Sequence, residues 1–545
     1  MIPYFPDYTG PYRVGTVDIE VPITELASPA PAPSNAAEIR TILVRVYYPA
    51  EPNTGGRKIH WLPTPQRQNV SAYAQFMGLG PTLSGVVSYL PRHMYYTTIP
   101  AYKNATISTP KTPSGRWPTA IFSHGLAGCR NSYSYIAGSL ASYGIVVFCP
   151  EHRDGSAVLT MERNPATKVG RFTPWRDIAK THPYIRIEHD ATPEVFQARA
   201  NQLRIRTWEM GLVHACILAM DRGNTFTNLN QSTCSLDQFK EKMDVHEPGK
   251  IIFMGHSFGA ATMVQFLKSV YYAESPELKD FKAPLYTPSR SSEICAQVTP
   301  KSITILLDIW CMPLFDPSMS ALLHLPLPVY APVVDAPGGT ALLAVESEQF
   351  YKWTEHLHAT ARVLSPQPSA RIVDGASFVN PATQTSFTPA RFFWVERSAH
   401  LNQSDFGVLF PWVTKKVFSA DEPERALRLN LRAQLQVLRD NGVAVAKTSF
   451  AECLDGGQDD FDFSQAADGR VNDDSAIFRD CEEGIDAWAA IDIIGMGDKS
   501  PVLGWNQNDG ADSGAETDDA TLKGGEQAEA VESAVAPAQI GAVVA

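Results

Sequence analysis

This 545-residue sequence lacks the features that mark several classes of protein. It contains no run of 18 or more apolar residues, so we expect no transmembrane helix. Its eight cysteines form no Cys-x-x-Cys pair or zinc-finger spacing, and no Gly-rich nucleotide loop or His-rich cluster appears. We therefore expect no metal and no cofactor. No basic cluster is present, which argues against a nucleic acid partner. The first residues have neither a basic nor an apolar region, so we expect no secretory signal and a cytoplasmic location with free thiols.

Charged residues are also few, at 19%, and the net charge of −12 is unevenly distributed. Residues 454–545 carry 21 acidic and four basic side chains, whereas residues 1–453 carry 42 basic and 37 acidic ones. We therefore predict a folded domain over 1–453 and an acidic low-complexity tail over 454–545. The tail should be largely disordered from about residue 498, with a short docking helix near 482–495. The sequence leaves the purpose of the tail and the oligomeric state open.

Short apolar strands alternate with helical patterns from about residue 119 onward. We predict strands near 120–123, 145–149, 251–254, 303–307, 341–345 and 392–395, with helices at 133–143, 197–221 and 422–440. Two further strands, near 16–21 and 42–48, come earlier in the chain. Strands that alternate with helices predict an α/β fold, with a mostly parallel central sheet and helices on both faces.

The most informative stretch is Gly255-His256-Ser257-Phe258-Gly259, which follows one of these strands and precedes a helical run. This Gly-x-Ser-x-Gly pattern is typical of a nucleophile elbow, where glycines let backbone segments pass close to a strained serine. The pattern alone is common in long sequences. The strand and helix on either side of it predict a serine hydrolase with Ser257 as the nucleophile.

A serine nucleophile needs a base and an acid that orients it, and in α/β-hydrolases these follow in the order serine, acid, histidine. Asp308 ends the next predicted strand, and His400 follows the last one, so we predict both as the partners of Ser257. Asp405 is the reserve acid. His256 is adjacent to the serine, but neighbouring side chains diverge at an elbow, so we expect it to have a packing role. His356 and His358 lie in a helical pattern before the last strand.

Two backbone N–H groups should stabilise the oxyanion that forms during acyl transfer. One belongs to the residue after the nucleophile, Phe258. The other comes from the loop after an earlier strand, and Ser123-His124-Gly125-Leu126 supplies a His-Gly turn there. We assign the second donor to Leu126.

These stretches resemble the platelet-activating-factor acetylhydrolase family of the lipoprotein-associated phospholipase A2 type, an α/β-hydrolase family. The matching motifs span residues 10 to about 440 and include Phe122-Ser123-His124-Gly125-Leu126, Glu151-His152-Arg153-Asp154, Gly255-His256-Ser257-Phe258-Gly259, Asp308-Ile309-Trp310, Val345-Glu346-Ser347-Glu348-Gln349-Phe350 and Ala399-His400-Leu401-Asn402. The resemblance implies calcium-independent hydrolysis of short or oxidised sn-2 acyl chains from phospholipids. It implies Ser257, Asp308 and His400 as the triad, and Leu126 and Phe258 as the oxyanion donors.

Several alternatives stay open at this point. The apolar segment 314–339 is either a lid or membrane-contact loop, or a plain packing loop. The segment 72–96 is amphipathic, and the resemblance makes it a candidate for peripheral membrane contact, with an ordinary surface helix as the other interpretation. A general carboxylesterase or a cutinase-type polyester hydrolase could carry the same triad on a small ester substrate. A non-catalytic α/β-hydrolase scaffold is the remaining hypothesis.

Overall fold

The computed structural model describes residues 4–90, 92–164, 178–278, 285–418, 422–453, 468–479 and 485–497. The disorder that the sequence predicts from residue 498 onward lies outside this range.

Sixteen strands occur in the described chain. They are β1 (Arg13–Pro22), β2 (Thr41–Ala50), β3 (Lys58–His60), β4 (Thr98–Lys103), β5 (Trp117–Ser123), β6 (Val146–Pro150), β7 (Leu159–Arg163), β8 (Ile178–Pro183), β9 (Met243–Asp244), β10 (Ile251–His256), β11 (Thr304–Leu307), β12 (Leu342–Ser347), β13 (Arg391–Val395), β14 (Thr448–Ser449), β15 (Arg470–Val471) and β16 (Trp488–Ala490).

Twelve of the strands form one sheet in the order β16-β13-β12-β11-β10-β5-β6-β2-β1-β4-β3, with β9 paired to β5. The six strands from β13 to β6 are parallel to one another, whereas β2 runs antiparallel to β6 and β16 runs antiparallel to β13. Every residue of β5, β6, β10, β11 and β12 is buried, as expected for parallel strands that are covered on both faces.

Thirteen α-helices accompany these strands within the described residues. They are α1 (Gln66–Phe76), α2 (Pro81–Val87), α3 (Ser134–Ser142), α4 (Pro193–Arg222), α5 (Phe258–Tyr271), α6 (Glu293–Gln297), α7 (Ser320–His324), α8 (Glu348–Tyr351), α9 (Thr354–Val363), α10 (Asp405–Leu409), α11 (Pro411–Phe418), α12 (Pro423–Asp440) and α13 (Phe450–Cys453). Within the described residues, no helix is both long enough and apolar enough to span a membrane.

The order of the strands places helices on both faces of the sheet. The β5-α3-β6 crossover moves along the sheet in one direction, and the β10-α5-β11 crossover moves in the other. Because such crossovers are right-handed, opposite directions put α3 and α5 on opposite faces. Helix α3 packs against α12, and α5 packs against α4. This arrangement confirms the predicted α/β-hydrolase fold.

The direction of the crossovers reverses between the adjacent strands β5 and β10. In open parallel sheets, ligands bind outside the carboxyl ends of the strands at such a switch point. The loop after β5 begins at His124, and the turn after β10 contains Ser257. The topology therefore brings the two predicted oxyanion segments together at one edge of the sheet.

Two described segments beyond residue 453, 468–479 and 485–497, pack on the domain, so folded structure continues past the predicted boundary between 453 and 454. Asp474 forms a buried ion pair with Arg432 of α12, at 2.7 Å. Trp488 stacks on Phe393 of the central sheet. The docking helix predicted near 482–495 is wrong, because residues 488–490 form the edge strand β16. The acidic composition of the region concealed these few apolar anchors.

The apolar segment 314–339 packs into the core, which is the packing-loop alternative. Leu314, Leu322 and Leu327 are at most 3% exposed. The Nζ of Lys268 on α5 lies 3.4 Å from the carbonyl oxygen of Leu323.

The amphipathic segment 72–96 differs from the segment 314–339, because several of its apolar side chains face solvent. Leu83, Val86, Tyr89 and Leu90, in and just after α2, are each more than half exposed.

Candidate active site

Ser257 occupies a strained turn between β10 and α5, with φ 55° and ψ −121°. A non-glycine residue rarely adopts a positive φ, so this geometry is typical of a nucleophile elbow. Only glycine fits at the two flanking positions, because a Cβ there would clash with neighbouring backbone. A Cβ on Gly255 would lie 2.4 Å from the carbonyl oxygen of Gly259, and a Cβ on Gly259 would lie 2.0 Å from that of Ser123. The backbone of the elbow and the end of β5 are therefore packed too closely for any larger residue.

Asp308 lies directly after β11 and is completely buried. Its Oδ2 is 3.0 Å from Nδ1 of His400, and its Oδ1 accepts a hydrogen bond from the backbone N–H of Ser347. Its own N–H donates to the carbonyl oxygen of Val345 at 2.8 Å. These bonds from the neighbouring strand β12 hold the carboxylate in one orientation against the imidazole.

The imidazole of His400 is held on several sides. Its backbone N–H donates to Oε1 of Gln349 at 3.1 Å. The ring of Phe350 stacks on it at 4.4 Å with an interplanar angle of 7°, and the ring of His256 packs against it at 4.4 Å with an angle of 31°. Since His256 precedes Ser257 in the chain, this contact places the imidazole beside the elbow. His400 itself is 9% exposed.

Asp405 has a different role from that of an acid for His400. Its Oδ2 accepts hydrogen bonds from Trp61 Nε1 and the N–H of Ser134, both at 2.9 Å, and its Oδ1 accepts one from the N–H of Tyr135 at 2.9 Å. Asp405 therefore binds the first N–H groups of α3 and ties that helix to Trp61. Burial raises its pKa to about 6.

The other histidines of the sequence analysis also make structural contacts. Nε2 of His356 accepts a hydrogen bond from the N–H of Cys311 at 3.0 Å, and burial lowers the pKa of His356 to about 3. Nδ1 of His358 contacts the backbone of Gly497.

The two predicted oxyanion donors lie on either side of the elbow. A Cβ on Gly125 would lie 3.0 Å from Cβ of Ser257, so the Gly125–Leu126 peptide runs against the serine. Phe258 is the first residue of α5, where backbone N–H groups have no acceptor within the helix. Across the described residues, neither the N–H of Leu126 nor that of Phe258 has a hydrogen-bond acceptor. Both amides are available to a ligand at the serine.

A buried polar network lies behind the oxyanion loop. Ser123 Oγ is 2.9 Å from Nε2 of His152, and Nδ1 of His152 is 2.7 Å from Oε2 of Glu209. The guanidinium of Arg206 donates to Ser123 Oγ at 3.3 Å and to the carbonyl oxygen of His124. Burial raises the pKa of Glu209 to about 8 and lowers that of His152 well below 6.5. This network fixes the backbone from which the loop departs.

Arg206 also contacts the elbow from the other side. Its guanidinium carbon lies 4.5 Å from the centre of the Phe258 ring, and Nη1 donates to Ser156 Oγ at 3.0 Å. The carbonyl oxygen of Ser156 accepts from the N–H of Ala127 at 2.8 Å. One buried side chain therefore contacts both segments that carry the free amides, the loop through the carbonyl oxygen of His124 and the elbow through the Phe258 ring.

A second carboxyl group lies beside Asp308. Glu346 is 1% exposed at the carboxyl end of β12. Burial raises its pKa well above 4.5, and the adjacent charge of Asp308 raises it further. Both effects favour the neutral form of the Glu346 carboxyl beside the charged Asp308.

His256, Asp308 and His400 form the single group of three or more metal-binding side chains that the described part of the chain brings together. Their ligand atoms lie within 4.8 Å of one another. The pairing of Asp308 with one ring nitrogen of His400 is also the arrangement needed for proton transfer.

Comparison with known families identifies the chain. The model of the family described as platelet-activating factor acetylhydrolase, isoform II, matches residues 3–460. The chain belongs to this family. The resemblance stated from the motifs is confirmed, and the match covers the sheet except for β16, the elbow and both predicted partners of the serine.

Relatives extend the comparison. A Schizosaccharomyces pombe protein named "Putative phospholipase A2" is 28% identical over 469 residues, which cover 80% of this chain and 92% of the relative. A protein from Cavia porcellus named platelet-activating factor acetylhydrolase is 30% identical over 267 residues, covering 48% of this chain and 52% of that protein. A solved ferulic acid esterase from Streptomyces cinnamoneus aligns with 81% of this chain and 93% of its own, at 14% identity and a TM-score of 0.39. The family and the two relatives from Schizosaccharomyces pombe and Cavia porcellus support hydrolysis of a lipid ester.

Sequence reasoning gave no role to four residues at the site: Tyr133, Glu346, Gln349 and Phe350. The last three lie close together in and just after the end of β12. This strand is next to β11, which Asp308 directly follows. Because parallel strands end at the same edge, their position in the stretch 345–350 was a usable signal. Tyr133 carried no such signal, since its contact with His256 joins residues 123 positions apart.

Proposed function

We propose that the protein is a calcium-independent serine esterase that hydrolyses the short or oxidised sn-2 acyl ester of phospholipids such as 1-alkyl-2-acetylglycerophosphocholine. The observation that carries the proposal is the Asp308–His400 pair beside a strained Ser257 flanked by two free amides. Membership of the acetylhydrolase family supports the choice of a phospholipid ester.

In the proposed mechanism, Oγ of Ser257 attacks the sn-2 carbonyl carbon while His400 takes the hydroxyl proton through Nε2. The tetrahedral intermediate collapses, the bond to the glycerol oxygen breaks, and His400 gives the proton to that oxygen. Water then attacks the acyl-enzyme, with His400 again as base, and releases the carboxylic acid and Ser257. Asp308 keeps the proton of the resting imidazole on Nδ1 and stabilises the imidazolium.

The oxyanion is assigned to the N–H groups of Leu126 and Phe258. Such donors stabilise the transition state because they are already in place when the charge develops. Each step uses side chains and amides of this chain, so calcium has no assigned role, and full activity in EDTA is part of the proposal.

Peripheral contact with a lipid surface is also proposed, through the exposed apolar side chains of Leu83, Val86, Tyr89 and Leu90. A cluster of this kind on a protein surface marks an interaction site. This cluster is linked to the site by packing, because Tyr73 on the adjoining helix α1 makes an edge-to-face contact with Phe406, which follows the His400 segment. The partner is therefore a phospholipid aggregate or a small ester, and not nucleic acid.

The lipid contact can be tested by sedimentation with phosphatidylcholine vesicles. Leu83→Asp combined with Val86→Asp should reduce binding and hydrolysis of vesicle substrate, with hydrolysis of a soluble ester unchanged. Val334→Asp is the matched control, because Val334 is also an exposed valine, at 76%, and lies outside the segment that contains Leu83 and Val86. Equal binding by both variants would contradict the contact.

We further propose a cytoplasmic location. The seven cysteines in the described residues are all free thiols, as expected in a reducing compartment. Fractionation of cells that express the protein checks this, and recovery of the protein outside the cytoplasm would contradict it.

The reaction itself is tested by trapping the acyl-enzyme. Purified protein is mixed with 1-alkyl-2-acetylglycerophosphocholine in EDTA, quenched in acid and digested for mass spectrometry. An acetyl group on Ser257, absent from Ser257→Ala, is expected. Turnover without an acetylated Ser257 would contradict the mechanism, and acylation by p-nitrophenyl acetate alone would favour a general carboxylesterase.

A further inference from the structure

The hydroxyl of Tyr133 joins two segments of the proposed site. It accepts a hydrogen bond from the N–H of Gly125 at 3.0 Å and lies 2.8 Å from Nδ1 of His256. Tyr133 is 5% exposed, and His256 is 3% exposed. Gly125 immediately precedes the proposed donor Leu126, and His256 immediately precedes Ser257.

The partners of the Tyr133 hydroxyl indicate the direction of the second hydrogen bond. The backbone N–H of Gly125 can only donate, so the hydroxyl oxygen is the acceptor there. Within the described residues, the hydroxyl proton has no acceptor other than Nδ1 of His256, so we assign Nδ1 as its acceptor. This assignment makes His256 the neutral tautomer with its proton on Nε2. Burial lowers the pKa of His256 well below 6.5, and the charge of nearby His400 lowers it further, which agrees with this assignment.

A neutral His256 suits its position. Its ring packs 4.4 Å from that of His400, which must carry a positive charge in the transition state. A second imidazolium at that distance would oppose the charge. The Tyr133 hydroxyl proton therefore favours an uncharged ring against the base.

The contact with Gly125 acts on the oxyanion donor. A Cβ at Gly125 would lie 3.0 Å from Cβ of Ser257 and 3.1 Å from the Tyr133 oxygen, so the loop backbone is held between the two side chains. The bond from the N–H of Gly125 to Tyr133 holds the His124–Gly125 peptide, and the carbonyl oxygen of Gly125 accepts from the N–H of Gly128 at 3.2 Å. Removing the Tyr133 hydroxyl therefore frees one side of the turn that carries the N–H of Leu126.

We infer that Tyr133 and His256 are positioning residues, through which one buried hydroxyl aligns the oxyanion loop, the elbow and the base. This inference rests on the proposed function, because both residues would orient the groups that carry out the proposed reaction. Neither side chain touches the reacting atoms itself. The packing role that the sequence predicts for His256 is thus extended to the orientation of His400.

Tyr133→Phe is the direct test, and Tyr48→Phe is its matched control. Tyr48 is also a buried tyrosine on this domain, and its hydroxyl donates to the carbonyl oxygen of Ala105 at 2.7 Å. We expect Tyr133→Phe to lower kcat by roughly ten- to a hundredfold, below the effect of removing a donor itself, with KM changed by less than about twofold. Tyr48→Phe should lower only the melting temperature.

A trifluoromethyl ketone inhibitor supplies a readout that a purely structural role would not change. It forms an oxyanion on the serine, so its affinity should fall in Tyr133→Phe by the same factor as kcat/KM. Equal kcat and inhibitor affinity in Tyr133→Phe and Tyr48→Phe would overturn the inference.

Two variants at position 256 test the hydrogen bond separately. His256→Asn keeps an oxygen acceptor near the position of Nδ1, whereas His256→Leu removes it. The asparagine variant should retain at least about fivefold more activity than the leucine variant, since only it preserves the Tyr133 bond. Equal activities would contradict the assignment. Ser257→Ala is included throughout: if that variant still hydrolyses the ester, the proposed function itself fails, irrespective of the result for Tyr133.

Discussion

Replacing Asp308 with asparagine should inactivate the protein without unfolding it. The reason lies in the two bonds of the carboxylate. Oδ1 accepts from the N–H of Ser347, and Oδ2 is 3.0 Å from Nδ1 of His400. An amide has one oxygen and one NH₂ group, and only the oxygen can accept the N–H of Ser347. The NH₂ group must then face Nδ1 of His400.

This orientation imposes the wrong tautomer on the base. With an NH₂ donor opposite Nδ1, the imidazole proton moves to Nε2, and His400 can no longer take the proton of Ser257. The same substitution in a serine protease triad lowers kcat by about 10⁴-fold, or roughly 5.5 kcal/mol of activation free energy. We expect a loss of that size in kcat/KM for p-nitrophenyl acetate, with little change in the melting temperature.

Asp405→Asn is the matched control for this prediction. It changes a second buried carboxylate in the same way, but one whose bonds go to α3 and Trp61. It should lower stability by about 1–3 kcal/mol and leave kcat/KM within about tenfold. If Asp405→Asn lost 10⁴-fold and Asp308→Asn lost less than tenfold, the reserve acid would be the true partner of His400 and the account of the triad would be wrong.

Three further predictions concern the groups around the site. Glu346→Gln should keep kcat within about threefold at pH 7, because burial and the charge of Asp308 favour the neutral carboxyl that glutamine mimics, and a loss of more than tenfold would refute that. Arg206→Lys should lower kcat by roughly tenfold or more, since lysine lacks the fork that binds the oxyanion loop, whereas Arg432→Lys should lower only stability; equal kcat values would contradict the role of Arg206. Glu209 has a folded pKa of about 8 against an ordinary 4.5, so the native state binds more protons between these values and loses stability as pH rises through them. Glu209→Gln should remove that loss in urea unfolding at pH 5 and pH 8, and identical pH slopes for both proteins would refute the assignment.

The sequence was sufficient for the parts of the fold that depend on local pattern. The strands that end at residues 256, 307 and 395 read as short apolar runs, and parallel strands end at one edge, so Ser257, Asp308 and His400 could be placed together. The helices at 193–222 and 423–440 followed from their periodicity.

The remainder depends on contacts between distant residues. The hydrogen bond from Trp61 to Asp405 joins residues 344 positions apart. The sequence therefore could not show that the reserve acid Asp405 binds the first N–H groups of α3. The pairing of β16 with β13 could not be read from an acidic segment in which only Trp488 and a few neighbours are apolar. Likewise, the raised pKa of Glu346 results from burial beside Asp308, which no local pattern encodes.

The most direct test of the central claim is acyl-chain-resolved hydrolysis by purified protein in EDTA, with Ser257→Ala as the control. Phosphatidylcholines with sn-2 acetyl, oxidised short or long acyl groups are compared with p-nitrophenyl esters. We predict preference for the sn-2 acetyl and oxidised short chains, unaffected by EDTA and lost in the variant. Activity on p-nitrophenyl esters alone would contradict the phospholipid assignment, and the absence of any Ser257-dependent turnover would contradict catalysis by this site.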